Sequence, residues 1–277
     1  MTPDAYCQQK AAASGSSFYY SFLFLPPEKR RAILALYAFC REVDDAVDEV
    51  GDPGVARAKL AWWSQEIERI YGGEPQHPVG KALAPVVRAY DLDQSRLAEI
   101  LAGMSMDLDY NRYPDFPTLQ LYCHRVAGVV GLLSARIFGY TDVRTLDYAR
   151  TLGLAFQLTN IIRDVGEDAR RNRIYLPLDE LQRFGLAADD LIALRQDQRF
   201  AQLMAFQIER AREHYARALA LLPAADRKAQ RPGLIMAAIY RTLLDEIQAS
   251  GGEVLIQRIA LTPIRKLWIA WRTWLAA

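Results

Sequence analysis

The chain has 277 residues, 51% of them hydrophobic, and its 34 Lys and Arg against 33 Asp and Glu leave a formal net charge of +1. This length and the lack of a low-complexity linker predict a single domain over 1–277. The balanced charge gives no sign of a nucleic-acid partner. Cys7, Cys40 and Cys123 are widely spaced, which is typical of a reducing compartment, so we expect a cytoplasmic protein.

The N-terminus lacks a basic region followed by an apolar run and a cleavage site. No stretch of about 18 uncharged apolar residues is present either, so we expect neither export nor a membrane-spanning segment.

Apolar residues recur at intervals of three and four along almost the whole chain, which predicts helix throughout. Clusters of turn-forming residues divide the chain into segments of roughly 15 to 30 residues. These clusters are Gly51-Asp52-Pro53, Gly72-Gly73-Glu74-Pro75, Pro114-Asp115-Phe116-Pro117, Arg231-Pro232-Gly233 and Gly251-Gly252. The prediction is an all-α, single-domain helical bundle around a central cavity.

A first polar stripe lies on the predicted helix from Arg30 to Glu49. Tyr37, Arg41, Asp44 and Asp48 follow one another at steps of four, three and four, which puts them on one helix face. Apolar residues flank the stripe, as expected beside an internal cavity. We expect Asp44 and Asp48 to hold a metal ion, and Arg41 and Tyr37 to contact a phosphate. A solvated charged face is the alternative for this helix alone.

A second stripe repeats this pattern, with Gln157, Asn160, Asp164 and Asp168 at steps of three, four and four. Four inward-facing carboxylates would repel one another unless cations lie between them. Mg²⁺ fits, because it prefers oxygen ligands and bridges carboxylates to substrate phosphates. No calcium-binding loop with DxDxDG spacing is present. Two matched stripes favour a magnesium-dependent enzyme acting on a diphosphate over a decorated surface.

Three stretches carry a further signal: SGSSFYYSFLFLPPEKRRAILALYAFCREVDD, LYCHRVAGVVG and QLTNIIRDVGEDARRNRIYLP. In sequence and in order they resemble the signatures of the head-to-head prenyl synthases, the squalene/phytoene synthase family. Within the family, KAAASGSSFYYSF and VARAKLAWWSQEI are most similar to bacterial presqualene diphosphate synthases of hopanoid pathways. The resemblance implies the isoprenoid synthase fold and a prenyltransferase that joins two molecules of farnesyl diphosphate into presqualene diphosphate. The alternatives are a phytoene or dehydrosqualene synthase, and a catalytically inactive relative acting as a scaffold.

The resemblance also implies roles for individual residues. The implied Mg²⁺ ligands are Asp44, Asp48, Asn160, Asp164 and Asp168. The implied substrate-binding residues are Ser17, Phe18, Tyr37, Arg41, Gln157, Arg163, Arg173 and Tyr240, with Arg171 as a helper. Tyr122 would lie beside the reacting carbons, to stabilise a cation or relay a proton; the released diphosphate is the alternative base. Isoprenoid tails would contact Phe18, Phe22, Leu23, Phe39, Val126, Val129 and Leu154, for which plain core packing is the alternative.

Other polar residues favour structural roles. His77, His124 and His214 lack metal-ligand spacing, and Ser14 and Ser16 precede a helix that either could cap. No GxGxxG motif follows a strand, which does not exclude NADPH, because squalene synthases also lack this motif.

The last segment, 262–277, predicts an amphipathic helix. Arg265, Lys266 and Arg272 lie opposite an apolar face made of Ile264, Leu267, Trp268, Trp271, Trp274 and Leu275. Tryptophan beside basic residues is typical of a membrane interface. We expect peripheral contact with the inner face of the membrane, which would shorten delivery to the next pathway enzyme, and docking onto the protein core is the alternative.

Overall fold

The computed structural model describes residues 1–48 and 52–276. Glu49, the last residue of the predicted helix that carries the first stripe, Gly51 of the first turn cluster and residue 277 lie outside the described residues. Within those ranges there are fourteen α-helices and no strand, so the all-α prediction is confirmed. The helices are α1 Pro3–Ala13, α2 Ser17–Phe22, α3 Pro27–Asp48, α4 Pro53–Gly72, α5 Pro78–Ala89, α6 Gln94–Asp109, α7 Phe116–Cys123, α8 Val129–Phe138, α9 Arg144–Arg170, α10 Leu178–Arg183, α11 Ala188–Ile192, α12 Gln198–Leu221, α13 Arg231–Ala249 and α14 Pro263–Ala276.

The helices are more uneven in length than the turn clusters predict. They range from five residues in α11 to 27 in α9. Some helices are shorter because a single residue, rather than a predicted cluster of turn-forming residues, ends them. Gly139, for example, adopts a φ of 87° directly after α8, a conformation that costs little only for glycine.

Two apolar cores share the centre of the bundle. One is built mainly from α9, α12 and α13 and the other from α3, α4, α5 and α6. Phe18 of α2 and Val126, between α7 and α8, pack against both cores. The space between α3 and α9 is therefore walled on both sides by apolar side chains, with the two polar stripes at one end.

A π-helical turn, His124–Gly128, joins α7 to α8 and packs closely on α9. The approach depends on glycine, because a Cβ on Gly153 would lie 2.4 Å from the carbonyl oxygen of Ala127. A Cβ on Gly131 would lie equally close, 2.4 Å, to the carbonyl oxygen of Ala149. These contacts hold the turn and Val126 against α9, at the edge of the central space.

The continuous helical run Phe116–Phe138 is the one described helix that is long and apolar enough, by length and composition, to cross a membrane. Core helices meet the same criterion, and this run packs against α6 and α9.

The last helix, α14, lies on α13 and α2. Ile269 and Ala270 are buried in this contact, and the Trp274 ring stacks on Phe24 with 5.6 Å between ring centroids. The sequence prediction that Trp274 shares the outward apolar face is wrong, because its ring faces the bundle. The other five apolar residues of that face are exposed: Ile264, Leu267, Trp268, Trp271 and Leu275.

Candidate active site

The polar stripes of α3 and α9 meet at one end of the central space. Arg173, just beyond α9, donates from Nη1 to Oδ1 of Asp48 at the end of α3, over 2.6 Å. Partial burial raises the pKa of the Asp168 carboxyl to about 7, and repulsion from Asp164 adds to the rise. Burial likewise raises the pKa of Asp44 to about 6, with Asp48 adding to the effect against the opposing Arg41. Carboxylates from both helices therefore share one poorly hydrated region.

This donor set suits a hard divalent cation. It consists of carboxylate and amide oxygens, the ligands that Mg²⁺ accepts. The raised pKa values mean that the charged carboxylates are unfavourable in this region, and a bound cation would stabilise them. Among the described residues no three His, Cys, Asp or Glu side chains converge into a preassembled metal site. Ions held here would complete their shells with water and substrate oxygens, as Mg²⁺ commonly does.

A polar pocket adjoins the carboxylates and contains four cationic side chains: Arg41, Arg163, Arg258 and Lys266. Arg163 and Arg258 both pair with Asp164, the latter at 3.0 Å from Nε to Oδ1. The pKa of Lys266 is lowered, first by burial and then by repulsion from Arg163 and Arg258. Arg41 in turn pairs with Asp44 and Asp45. No acidic side chain of the described ranges lines the pocket itself, and its surface therefore presents the cationic groups that binding an anion requires.

The remaining lining of the polar pocket is rich in hydroxyl and amide groups. Tyr37 donates its hydroxyl to Oγ of Ser14 over 2.9 Å, and Tyr240 donates to Oδ1 of Asn160 over 3.2 Å. Ser17 begins α2 at the pocket wall, and the side chain of Ser16 caps that helix by accepting from the backbone N–H of Phe18. Ser16 therefore caps the helix, and both Ser14 and Ser16 line the pocket.

An apolar cavity continues from the polar pocket between the two cores. The two spaces share Phe18, Tyr37 and Asn160 as lining residues. Gln157 lies in the wall of the cavity, where its Oε1 accepts from Nδ2 of Asn160 over 3.2 Å. An anion and an attached apolar chain can therefore be accommodated side by side.

The predicted chain-contacting residues divide into two groups. Phe18, Phe22 and Val126 line the apolar cavity. Leu23, Phe39, Val129 and Leu154 do not; Phe39, for example, is fully buried against Trp63, with 5.6 Å between ring centroids. The resemblance implied tail contacts for all seven, with core packing as the alternative, and only the assembled bundle separates cavity wall from core.

Tyr122 belongs to a cluster that the sequence did not predict. Its hydroxyl donates to Oδ2 of Asp107 over 2.9 Å, and the Tyr175 hydroxyl donates to Oδ1 over 2.8 Å. Burial raises the pKa of Asp107 to about 7 and that of Tyr122 well above its ordinary value. The Tyr122 and Tyr175 rings stack with centroids 5.4 Å apart. Tyr122 is therefore neutral and held in place, which suits an electron-rich ring beside a cation better than a base.

Asp107 and Tyr175 were missed because each lies outside the recognised stripes. The signal for Asp107 was its position between Met106 and Leu108 on a helix face that the structure partly buries. Arg258 and Lys266 were missed as pocket residues because nothing in their local spacing links them to Arg163.

The three histidines have structural roles, as predicted. His77 caps α5 by accepting the backbone N–H of Val79 at Nδ1. His124 Nε2 lies 3.2 Å from Glu99, and His214 packs against Phe116. Arg171 is peripheral to the site, at 3.9 Å from Asp48.

Comparison with known proteins identifies the class. The squalene/phytoene synthase family matches residues 11–265. The chain is 37% identical to the 15-cis-phytoene synthase of Synechocystis sp., over 98% of this chain and 84% of the relative. It is 38% identical to the phytoene synthase of Arthrospira platensis, over 94% and 89%. The chain therefore belongs to the squalene/phytoene synthase family of head-to-head prenyltransferases.

Solved structures agree with this assignment. A dehydrosqualene synthase in complex with a ligand superposes with a TM-score of 0.87 at 29% identity, covering 98% of this chain and 95% of that one. The squalene synthase HpnC from Alicyclobacillus acidocaldarius superposes with a TM-score of 0.80 at 27% identity, covering 90% and 94%. The fold is the all-α isoprenoid synthase fold.

Proposed function

We propose that this protein joins two allylic isoprenoid diphosphates head to head and releases diphosphate. The observation that carries the proposal is the polar pocket with four cationic side chains, opening directly into the apolar cavity. The relatives at 37% and 38% identity are named phytoene synthases. They favour geranylgeranyl diphosphate as the substrate and phytoene as the product.

A second candidate is the condensation of two farnesyl diphosphates to presqualene diphosphate. The strings KAAASGSSFYYSF and VARAKLAWWSQEI support it, as do the similar structures of a dehydrosqualene synthase and a squalene synthase. Presqualene diphosphate synthesis for hopanoids stays a prediction, and phytoene synthesis has the better support from sequence relatives.

The residues of the chain divide the work of either reaction. Arg41, Arg163 and Lys266 bind the diphosphate by charge-assisted contacts. Mg²⁺, held by Asp44, Asp48, Asn160, Asp164 and Asp168, would neutralise the departing diphosphate when bound.

Departure of the diphosphate leaves an allylic carbocation, which the alkene of the second substrate attacks. Phe18, Phe22 and Val126 line the cavity and exclude water from this cation. Tyr122 and Tyr175 do not line the cavity, so stabilisation of the cation by the Tyr122 ring rests on the resemblance to the family. Loss of a proton then closes a cyclopropane that keeps the diphosphate of the second substrate, and the released diphosphate accepts the proton, because the Tyr122 hydroxyl already donates to Asp107. This is the end product of the second candidate; for phytoene, the remaining diphosphate must also leave, and opening of the ring with loss of a second proton gives the hydrocarbon.

The test is mass spectrometry of extracts after incubation with Mg²⁺ and either farnesyl or geranylgeranyl diphosphate, with and without NADPH. Phytoene from the geranylgeranyl substrate supports the first candidate. Presqualene diphosphate from the farnesyl substrate, unchanged by NADPH, supports the second, whereas squalene formed with NADPH would assign a reductive synthase. No product from either substrate would contradict both candidates and favour a scaffold.

A further inference from the structure

The outward face of α14 exposes large apolar side chains. Ile264 is 81% exposed, Trp268 56% and Leu275 57%, and Leu267 and Trp271 lie beside them. Docking onto the bundle uses other residues, namely Ile269, Ala270 and Trp274. The exposed residues therefore do not serve this contact, and such a contiguous patch marks a surface that binds something. We call these five residues the α14 face.

The charge around the α14 face is positive. The helix contains Arg265, Lys266 and Arg272 and no acidic residue. Arg265 pairs with Glu246, and Lys266 lines the polar pocket, while Arg272 is exposed. Apolar side chains, two of them tryptophan, beside basic residues match the interface of a bilayer that carries anionic lipid.

A side opening adjoins the C-terminal half of α14. Phe24 and Trp274 form part of its wall, and its cationic residues are Lys29, Lys228 and Arg231, with no acidic residue among those that line it. The Arg231 guanidinium lies over the Trp274 ring, 5.4 Å from its centroid. Trp271 and Leu275 of the α14 face are within one helical turn of Trp274, so the opening lies at the edge of that face.

The side opening lies next to the apolar cavity. Both spaces are lined by Ser21, Phe138 and Pro232. The two spaces therefore adjoin at these residues, and the Phe24–Trp274 stack lies between this junction and the edge of the α14 face.

We propose that the α14 face docks the protein on an anionic lipid bilayer, with the side opening directed at the lipid, so that isoprenoid chains pass between the apolar cavity and the membrane. The docking part stands on the exposed face and its charge alone. The passage of chains rests on the proposed function.

Docking is tested by vesicle flotation without substrate. Full-length protein is mixed with vesicles of phosphatidylcholine, alone or with phosphatidylglycerol. Wild type is expected to float with the anionic vesicles and to be released by salt, and Trp268→Glu/Trp271→Glu is expected to lose about tenfold or more of its partition. The matched control, Val55→Glu/Val143→Glu, changes two exposed apolar residues, one in α4 and one just before α9, and should float as wild type does.

Three results would overturn docking: no flotation of wild type, equal flotation of the α14 variant, or equal loss in the control. A wild-type dimer in sedimentation that the α14 substitutions dissociate would assign the face to a second copy of the chain instead. Point substitutions are preferable to removing 262–277, because truncation also removes Lys266 from the polar pocket.

Passage of isoprenoid chains through the side opening is tested by measuring kcat with and without vesicles. Anionic vesicles should raise kcat of wild type severalfold by taking up the apolar product, and should leave kcat of Trp268→Glu/Trp271→Glu unchanged. Flotation without any effect of vesicles on kcat would reject the side opening as a route and leave docking intact. An inactive wild type would contradict the proposed function, while flotation would still decide docking.

Discussion

At the scale of the residue, individual charged side chains of the site lie in surroundings that disfavour their charge when no ligand is bound. The pKa of Asp168 is raised to about 7 by burial and by Asp164, while that of Lys266 is lowered by burial and by neighbouring arginines. Each group is held in an environment that disfavours its charged form. This arrangement is typical of binding sites, where ligand charge offsets an unfavourable free state.

Asp168→Asn should reduce kcat at least about 100-fold and leave the fold intact. The raised pKa means that the folded state of wild type without Mg²⁺ binds more protons than the unfolded state between about pH 4 and 7, so its stability falls as pH rises through that window. The stability of the variant should fall less steeply as pH rises. Thermal unfolding against pH measures this slope, and an unchanged kcat would contradict the metal-ligand assignment.

Lys266→Gln should raise KM for the diphosphate substrate about tenfold, equivalent to about 1.4 kcal/mol, with a smaller effect on kcat. The reason is loss of one cation from the polar pocket. Steady-state kinetics without vesicles gives both parameters. Arg272→Gln, an exposed residue of the same helix, is the matched control, and equal effects of the two substitutions would refute a pocket role for Lys266.

At the scale of elements, the central space depends on how closely the π-helical turn approaches α9. Backbone atoms on both sides occupy the positions that a Cβ would need at Gly131 and Gly153. Interiors of this density do not yield easily to an added methyl group. The two glycines therefore set the spacing of the helices that carry Val126 and the second stripe.

Gly153→Ala should lower the free energy of unfolding by about 1–3 kcal/mol. Its Cβ would meet the carbonyl oxygen of Ala127 at 2.4 Å, so the helices must separate. Gly72→Ala is the control, because a Cβ there meets nothing within 4 Å, and that protein should be as stable as wild type or slightly more so. Chemical denaturation compares them; equal stability of both variants would contradict the close-packing argument.

At the scale of the whole molecule, binding of a diphosphate together with a divalent cation should link the two polar stripes with α14. The carboxylates lie on α3 and α9, and the cations of the polar pocket lie on α3, α9, α14 and the segment before α14. A ligand carrying both a divalent cation and a diphosphate satisfies both sets at once. It therefore ties together parts of the chain that are far apart in sequence.

Mg²⁺ and inorganic diphosphate together should raise Tm by several degrees, more than the sum of their separate effects, because a ligand that binds only the folded state stabilises it. Differential scanning calorimetry with each ligand alone and with both measures the coupling. Asp168→Asn should abolish the excess. A full shift from diphosphate alone would mean that the cationic residues suffice and that the carboxylates hold no metal.

The sequence by itself determined the helical class, the two stripes and the family. These depend on local spacing, since residues three and four apart share a helix face wherever that helix lies. Spacing alone therefore groups Asp44 with Asp48 and Asp164 with Asp168.

Only the tertiary structure decided which faces meet. It brought Asp107 and Tyr175 to Tyr122, placed Arg258 and Lys266 beside Arg163, and turned Trp274 inward onto Phe24. Such contacts join residues far apart in the chain, and periodicity gives the direction of a side chain relative to its own helix axis but not the neighbour it meets. That neighbour is set by how the helices pack, including the close approach that Gly131 and Gly153 permit.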